Sequence, residues 1–309
     1  YGTHIDDSYV KVVFHSDGSI SDKGFSLRLI PDYTEPSETS QLAGYTLSLS
    51  GDIGVNFMMN LTKAASLSSD TFMEFSMPGK TTERVYADQA RVVDMGKNRY
   101  YGFPYHVSAK EMTETITAKY YEKGVYQDTY EYTVEDYANY MISHAAIFET
   151  KIVDIARAML MYGKTTQQYF GYHTERLPKY NQTLYSPSLD SFKYYESAPG
   201  KIRFEGARLI LKQKPGIKLY FSGMTSTSKV YVNREEVKKV KEGDLYYIVI
   251  SDIDKMSTMY DIDSDDGYYL RYGIFSYGYK ALTLDSSHQD LKNLISAMNL
   301  YNMAFWAVG

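Results

Sequence analysis

The residues that could do chemistry are scattered rather than grouped. The six histidines stand at positions 4, 15, 106, 144, 173 and 288. None belongs to an H-E-x-x-H segment, which would place two zinc ligands on one helix face. No G-x-S-x-G turn is present to expose a serine nucleophile. Gly163-Lys164-Thr165 ends like a phosphate loop, but Ala158 occupies the position of the first glycine. That segment also lies inside a helical pattern, whereas a phosphate loop joins a strand to a helix. A glycosidase needs two carboxylates facing each other across a cleft, and sequence spacing alone selects no such pair. Two acidic sites have oxygen ligands suited to calcium. Asp261-x-Asp263-x-Asp265-Asp266-Gly267 has them at alternate positions, but Asp266 stands where an EF-hand needs glycine and Tyr272 where it needs a bidentate Glu. An ordinary acidic β-turn is the simpler reading. Asp17 with Ser19 is the second site.

Aromatic chemistry is the more conspicuous resource, with 33 tyrosines in 309 residues. Several are adjacent pairs: Tyr100-Tyr101, Tyr120-Tyr121, Tyr246-Tyr247 and Tyr268-Tyr269. On a strand, neighbours point to opposite faces, so one ring of each pair is expected to leave the core. Tyr100, Tyr101, Tyr246, Tyr247, Tyr268 and Tyr269 are therefore the candidate ligand-binding residues. Tyrosine adds contact area while fixing few torsions. The competing reading makes every one of them strand filler.

Composition narrows the partners. The net charge is −5 with both signs interspersed, and a nucleic-acid-binding chain would show a basic patch. No run of 18 apolar residues is available to span a membrane. Without cysteine there is neither a disulfide framework nor a thiolate metal site. The chain opens at Tyr1 rather than Met, which reads as a fragment or a processed chain.

The elements that position these residues are mostly strands. Tyr9 to Phe14 and the alternating Phe25, Leu27, Leu29 suggest two strands around the turn Ser16–Ser19. Pro31 to Gln41 reads as a linker. An internal duplication follows. Gly44-Tyr-Thr-Leu-Ser-Leu, a turn and Ile53-Gly-Val-Asn-Phe are echoed by Gly206-Ala-Arg-Leu-Ile-Leu, a turn and Ile217-Lys-Leu-Tyr-Phe. Tyr100-Tyr101 is matched with Tyr246-Tyr247, and Lys110-Glu111-Met112 with Asp254-Lys255-Met256. Tyr132-x-Val134-x-x-Tyr137 corresponds to Tyr272-x-Ile274-x-x-Tyr277. Ala158-Met159-x-x-Tyr162 corresponds to Ala297-Met298-x-x-Tyr301. The spacing predicts two amphipathic helices. One runs through Ile152, Ile155, Ala156, Met159, Tyr162, Gly163 and Phe170 and stops at Gly171. The other runs through Leu291, Leu294, Ile295, Met298, Tyr301 and Phe305 and starts at a Ser286-x-x-Gln289 capping box.

The fold class expected is mainly β within α+β. It consists of antiparallel β-sandwich-like units, each closed by a long C-terminal amphipathic helix. The domains are residues 1–36, then a first repeat at 42–173, a linker at 174–199, and a second repeat at 200–309.

Val13-Phe14-His15-Ser16-Asp17-Gly18-Ser19 with Lys23-Gly24-Phe25-Ser26 resembles the C-terminal end of a CUB domain, an extracellular β-sandwich that binds proteins or sugars, often through calcium. The resemblance implies that Asp17 and Ser19 are calcium ligands. The remaining ligands of such a site would lie upstream of Tyr1. The first repeat resembles a unit of large secreted proteins of gut Firmicutes. Tyr45-Thr-Leu-Ser-Leu, Val107-Ser-Ala-Lys-Glu-Met, Tyr132-Thr-Val-Glu-Asp-Tyr-Ala and Ala158-Met-Leu-Met-Tyr-Gly carry that resemblance. It implies secretion or cell-surface association and no catalytic residues. The function expected is a non-catalytic extracellular binding or adhesion module of a larger bacterial surface protein, with cell-wall or host glycans or proteins as partners. The alternatives are a structural spacer and an unrecognised hydrolase.

Overall fold

Half-buried strands of alternating character need partners on both edges and a cover on one face. In the computed structural model, which describes residues 39–48, 52–95 and 98–307, they find both within four antiparallel sheets. The two N-terminal strands expected before Pro31 and the Asp17–Ser19 site lie outside the described residues. Among the described residues the protein is β-rich with five α-helices. Among the described residues no helix is long and apolar enough to cross a membrane.

The first half contains β1 (Gln41–Leu47), β2 (Gly54–Asn60), the short α1 (Lys63–Ser66), β3 (Phe72–Ser76), β4 (Glu83–Tyr86), β5 (Arg91–Met95), β6 (Asn98–His106), β7 (Ile116–Glu122), β8 (Val125–Tyr132), α2 (Val134–Ser143) and α3 (Thr150–Phe170). The edge strand β9 (Tyr195–Ser197) follows. The second half contains β10 (Arg203–Leu211), β11 (Pro215–Ser222), β12 (Val230–Val232), β13 (Glu235–Glu236), β14 (Val240–Glu242), β15 (Leu245–Ile250), β16 (Met259–Ser264), β17 (Tyr269–Gly273), α4 (Ile274–Leu282) and α5 (Gln289–Trp306).

The sheet orders are β1-β2-β6-β5 and β4-β3-β7-β8 in the first half. In the second half they are β10-β11-β15-β14 and β13-β12-β16-β17-β9. Each strand label in the first half maps onto the label nine higher in the second, with β9 added at an edge. The opening hairpins share even their irregularity. The β1–β2 register shifts between Leu42 and Gly44, and the β10–β11 register shifts between Phe204 and Gly206. Both glycines have positive φ, 142° and 157°, a backbone that a side chain would strain. The two sheets of each half meet through aromatic rings. Phe75 of β3 lies 5.4 Å from Phe57 of β2 and 5.1 Å from Tyr105 of β6. Phe204 of β10 lies 4.9 Å from Tyr272 of β17.

Register corrects one equivalence drawn from sequence. Met59 pairs with Tyr101 and Phe221 pairs with Tyr246. Tyr101 therefore corresponds to Tyr246, and Gly102 rather than Tyr101 corresponds to Tyr247. One residue of slip moves a side chain to the other face, so the distinction matters for the surface.

The long helices α3 and α5 pack on each other. Their equivalent tyrosines, Tyr162 and Tyr301, are both 4 % exposed and stack with centroids 5.7 Å apart and planes inclined by 27°. Desolvation pushes both phenols well above their ordinary pKa. Equivalent residues meeting each other is the arrangement of a two-fold interface, here within one chain. Phe170, expected on the buried stripe, is 48 % exposed. Gly171 ends α3 in the left-handed conformation with φ 58°. Its amide and that of Tyr172 bond back to Gln168 and Gln167. At the start of α5 the expected capping box does not form. Asp285 takes the capping role instead, accepting the Ser287 amide at 2.9 Å. Hydrogen bonds from the Ser287 hydroxyl and amide, with His288 nearby, lower its carboxyl to about 2.

Candidate functional site

The outward face of the sheet β10-β11-β15-β14 concentrates charge and aromatic surface. Alternation along β11 sends Ile217, Leu219 and Phe221 into the core and Lys218 and Tyr220 to the opposite face, where Lys218 is half-buried and Tyr220 is covered, at 8 % exposure. Arg208 pairs with Lys218 across β10, and Tyr247 pairs with Tyr220 across β15. The Lys218 ammonium lies 3.4 Å from the Tyr247 ring centroid and 4.9 Å from that of Tyr220. The Arg208 guanidinium is 5.2 Å from the Tyr220 centroid. Such cation–ring contacts are electrostatically favourable. Glu242 on β14 completes the group, with its Oε2 2.6 Å from Lys218 Nζ. The Glu242 carboxylate, and then the Tyr220 hydroxyl, raise the Lys218 pKa; Lys218 in turn lowers that of Glu242. Val249 and Val240 remain 43 % and 37 % exposed beside them.

At the four equivalent positions the first half carries different chemistry, although Tyr100 and the exposed Arg91 lie on the same face. Thr46, Asn56, Met58 and Gly102 replace Arg208, Lys218, Tyr220 and Tyr247. The Asn56 amide donates to Thr46 Oγ1 at 3.0 Å and to the Leu47 carbonyl at 3.2 Å. The polar groups there satisfy one another.

The tyrosines singled out from sequence divide as strand alternation requires, but they do not assemble into one platform. Tyr101 and Tyr246 face the core and are half-buried. Tyr268 is a correction: at 2 % exposure it is core, its ring 5.8 Å from Phe221 and its hydroxyl donating to Glu196 at 3.1 Å. Tyr100, Tyr247 and Tyr269 face outward but belong to three different sheets, and none is freely exposed. The Tyr269 hydroxyl donates to Asp261 at 2.6 Å, and Lys218 covers the ring of Tyr247. Tyr220, which sequence reasoning passed over, is the partner that gives Tyr247 its setting. Its signal was present in the alternation Lys218, Tyr220, Ser222, once β11 is known to bury the opposite face.

The acidic run at 261–267 is engaged in its own turn. Asp265 accepts the Lys229 amide at 3.2 Å, and Asp266 accepts from the Ser264 hydroxyl and, at 3.3 Å, from the Tyr268 amide. Among the described residues no three His, Asp or Glu side chains converge as a metal site. Gly163-Lys164-Thr165 lies inside α3, where the Thr165 hydroxyl donates back to the Met161 carbonyl.

One buried ionic group escaped the sequence altogether. Glu114, 2 % exposed, precedes β7. His173 Nδ1 lies 2.6 Å from its Oε1, and Arg176 Nη2 lies 3.0 and 3.3 Å from its two oxygens. His173 holds φ at 43° and stacks on Tyr172 with centroids 4.2 Å apart. Both Glu114 oxygens are occupied, so the carboxylate is placed to latch the segment after α3 onto the first half rather than to attack a substrate. The second half has Thr258 at the equivalent position. With this geometry in hand, comparison with known proteins adds no homology: no protein-family model matches the chain, and no curated protein matches it.

Proposed function

We propose that the chain is a non-catalytic binding module of a larger extracellular protein, built from two copies of one β-rich unit, with the outward β10-β11-β15-β14 face as its contact surface. The observation that carries this reading is the cluster of Arg208, Lys218, Tyr220 and Tyr247 on one copy, where the other has Thr46, Asn56, Met58 and Gly102 at the equivalent positions. Arginine and tyrosine dominate the energetic centres of interfaces, and exposed valines beside them add apolar area. Cell-wall or host glycans or proteins are the partners proposed. Because Lys218 already covers the Tyr247 ring, the face offers cations and ring edges rather than bare stacking surfaces. The extracellular placement rests on the resemblance to secreted repeats. In finer architecture, each copy is a sandwich-like pair of sheets with α3 or α5 as its closing helix.

The test is retention of the whole chain on columns of peptidoglycan sacculi and on a glycan array. The double variant R208A/K218A is expected to lose retention while remaining folded, its Tm falling by no more than about 5 °C, since Arg208 is exposed but Lys218 is half-buried against Tyr247 and Glu242. Undiminished retention would sink the assignment of this face. A structural spacer is the second reading. It is favoured by the two-fold-like packing of Tyr162 on Tyr301, which joins the copies through a common core.

A further inference from the structure

The two copies differ where the closing helix meets the turn before β7 or β16. In the first, α3 has Gly163, and a Cβ built there would lie 2.2 Å from Met112 Sδ and 2.9 Å from the Ala109 carbonyl oxygen. The methionine fills the notch. At the equivalent position α5 has Asn302. Beside it lies a cleft of about 490 Å³, walled by Phe192, Phe275 and Pro187 and edged by Asn299, Ser257 and Met303. Asn302 is 7 % exposed, and its Oδ1 has no hydrogen-bond partner among the described residues.

An unpaired buried amide oxygen costs about 1–3 kcal/mol. No intramolecular bond to that oxygen holds the carboxamide in place, and rotation about an asparagine χ2 is soft. The amide can therefore turn to meet a donor that enters the cleft. No charged side chain lines the site, so a ligand's carboxylate or ammonium would find no counter-ion there. The volume falls within the range of small-molecule sites, which combine apolar walls with a few convergent polar groups. A pyranose ring fits this description. Its C–H face can lie on Phe192 and Pro187, while its hydroxyls reach the Asn302 and Asn299 amides and the Ser257 hydroxyl.

We infer that this cleft in the second copy binds a neutral sugar ring, at a site separate from the Arg208–Lys218 face. Saturation-transfer NMR on the whole chain tests this, with methyl glycosides of neutral hexoses and N-acetylhexosamines as probes and methyl glucuronide as the charged control. At least one neutral glycoside should show transfer, and R208A/K218A should leave it unchanged. Ser257→Phe plugs the half-exposed rim, and Asn302→Leu removes the acceptor; each should weaken binding by roughly tenfold or more. Asn302→Leu should also hold or raise Tm, because an unpaired polar group is replaced by an apolar one. Three results would overturn the inference. The first is transfer from no neutral glycoside, or transfer that survives both variants. The second is tighter binding of the glucuronide. The third is a Tm loss above about 5 °C in Asn302→Leu, which would mean that the amide is already satisfied in the folded protein.

Discussion

At three corresponding places the two halves make opposite choices. Where the first half seals α3 against Met112 with Gly163, the second places Asn302 beside an open cleft. Where the first half locks Glu114 between His173 and Arg176, the second has Thr258. Where the second half presents Lys218 and Arg208 over tyrosine rings, the first presents Asn56 bonded to Thr46. Strand order and hairpin bulge are the same in both. Inward positions must fill a volume set by the shared sheets, and that volume tolerates little change. Seams and outward faces carry no such constraint. In the first half they serve internal closure, while in the second Lys218 and Arg208 lie over tyrosine rings and Asn302 Oδ1 has no partner among the described residues.

The shared core is where the halves should be alike, and it gives the largest expected effects. Tyr162→Ala and Tyr301→Ala should each cost about 3–5 kcal/mol, as truncation of a buried aromatic does. The double variant should fall short of the sum by about 0.5–1.5 kcal/mol, because each ring is the other's stacking partner. Urea denaturation of the four proteins measures this. Strict additivity would mean that the two helices do not communicate through these rings. An intermediate effect is expected at the seam. Gly163→Asn writes the second half's residue into the first, and the Ala109 carbonyl cannot yield as Met112 can. A loss of about 2–3 kcal/mol should follow from overpacking. A neutral outcome would show that the first seam opens as readily as the second. The smallest of the three concerns the latch. Glu114→Ala removes the buried partner of His173 and Arg176, both half-exposed, and should cost about 1–2 kcal/mol. Thr258→Ala, its counterpart, should cost less than about 0.5 kcal/mol. Equal costs would remove the distinction between the two sites.

Much of the scaffold was legible before any coordinates, because it is written in local patterns. Gly44 and Gly206 open the same hairpin pattern, Gly171 stops α3 in the left-handed conformation, and the spacing of Ile155, Met159 and Tyr162 predicts a buried stripe. Each depends on a residue and its neighbours within a turn or two. Even there, proximity in sequence left room for error. Asp285 took the capping role expected of Ser286, and the tyrosine pair on β6 matched that on β15 one residue out of step.

What the sequence determined by itself was the β-rich class, the opening hairpins and long helices α3 and α5, and the fact that one pattern occurs twice; the helices α2 and α4 were not read from it. Which ring of a tyrosine pair is core was decided only when β17 found β16 and Tyr268 found Phe221. The Glu114 latch joins residues 62 positions apart in the chain, and no periodicity announces a contact of that range. The Asn302 cleft lies where α5 carries an amide and α3 a glycine, a difference visible in the sequence but without meaning until α3 and α5 occupy equivalent places. Local propensity acts along the chain within a few residues. Sheet register and helix packing act across it, and they decide whether a polar side chain is satisfied by the protein or left for a ligand.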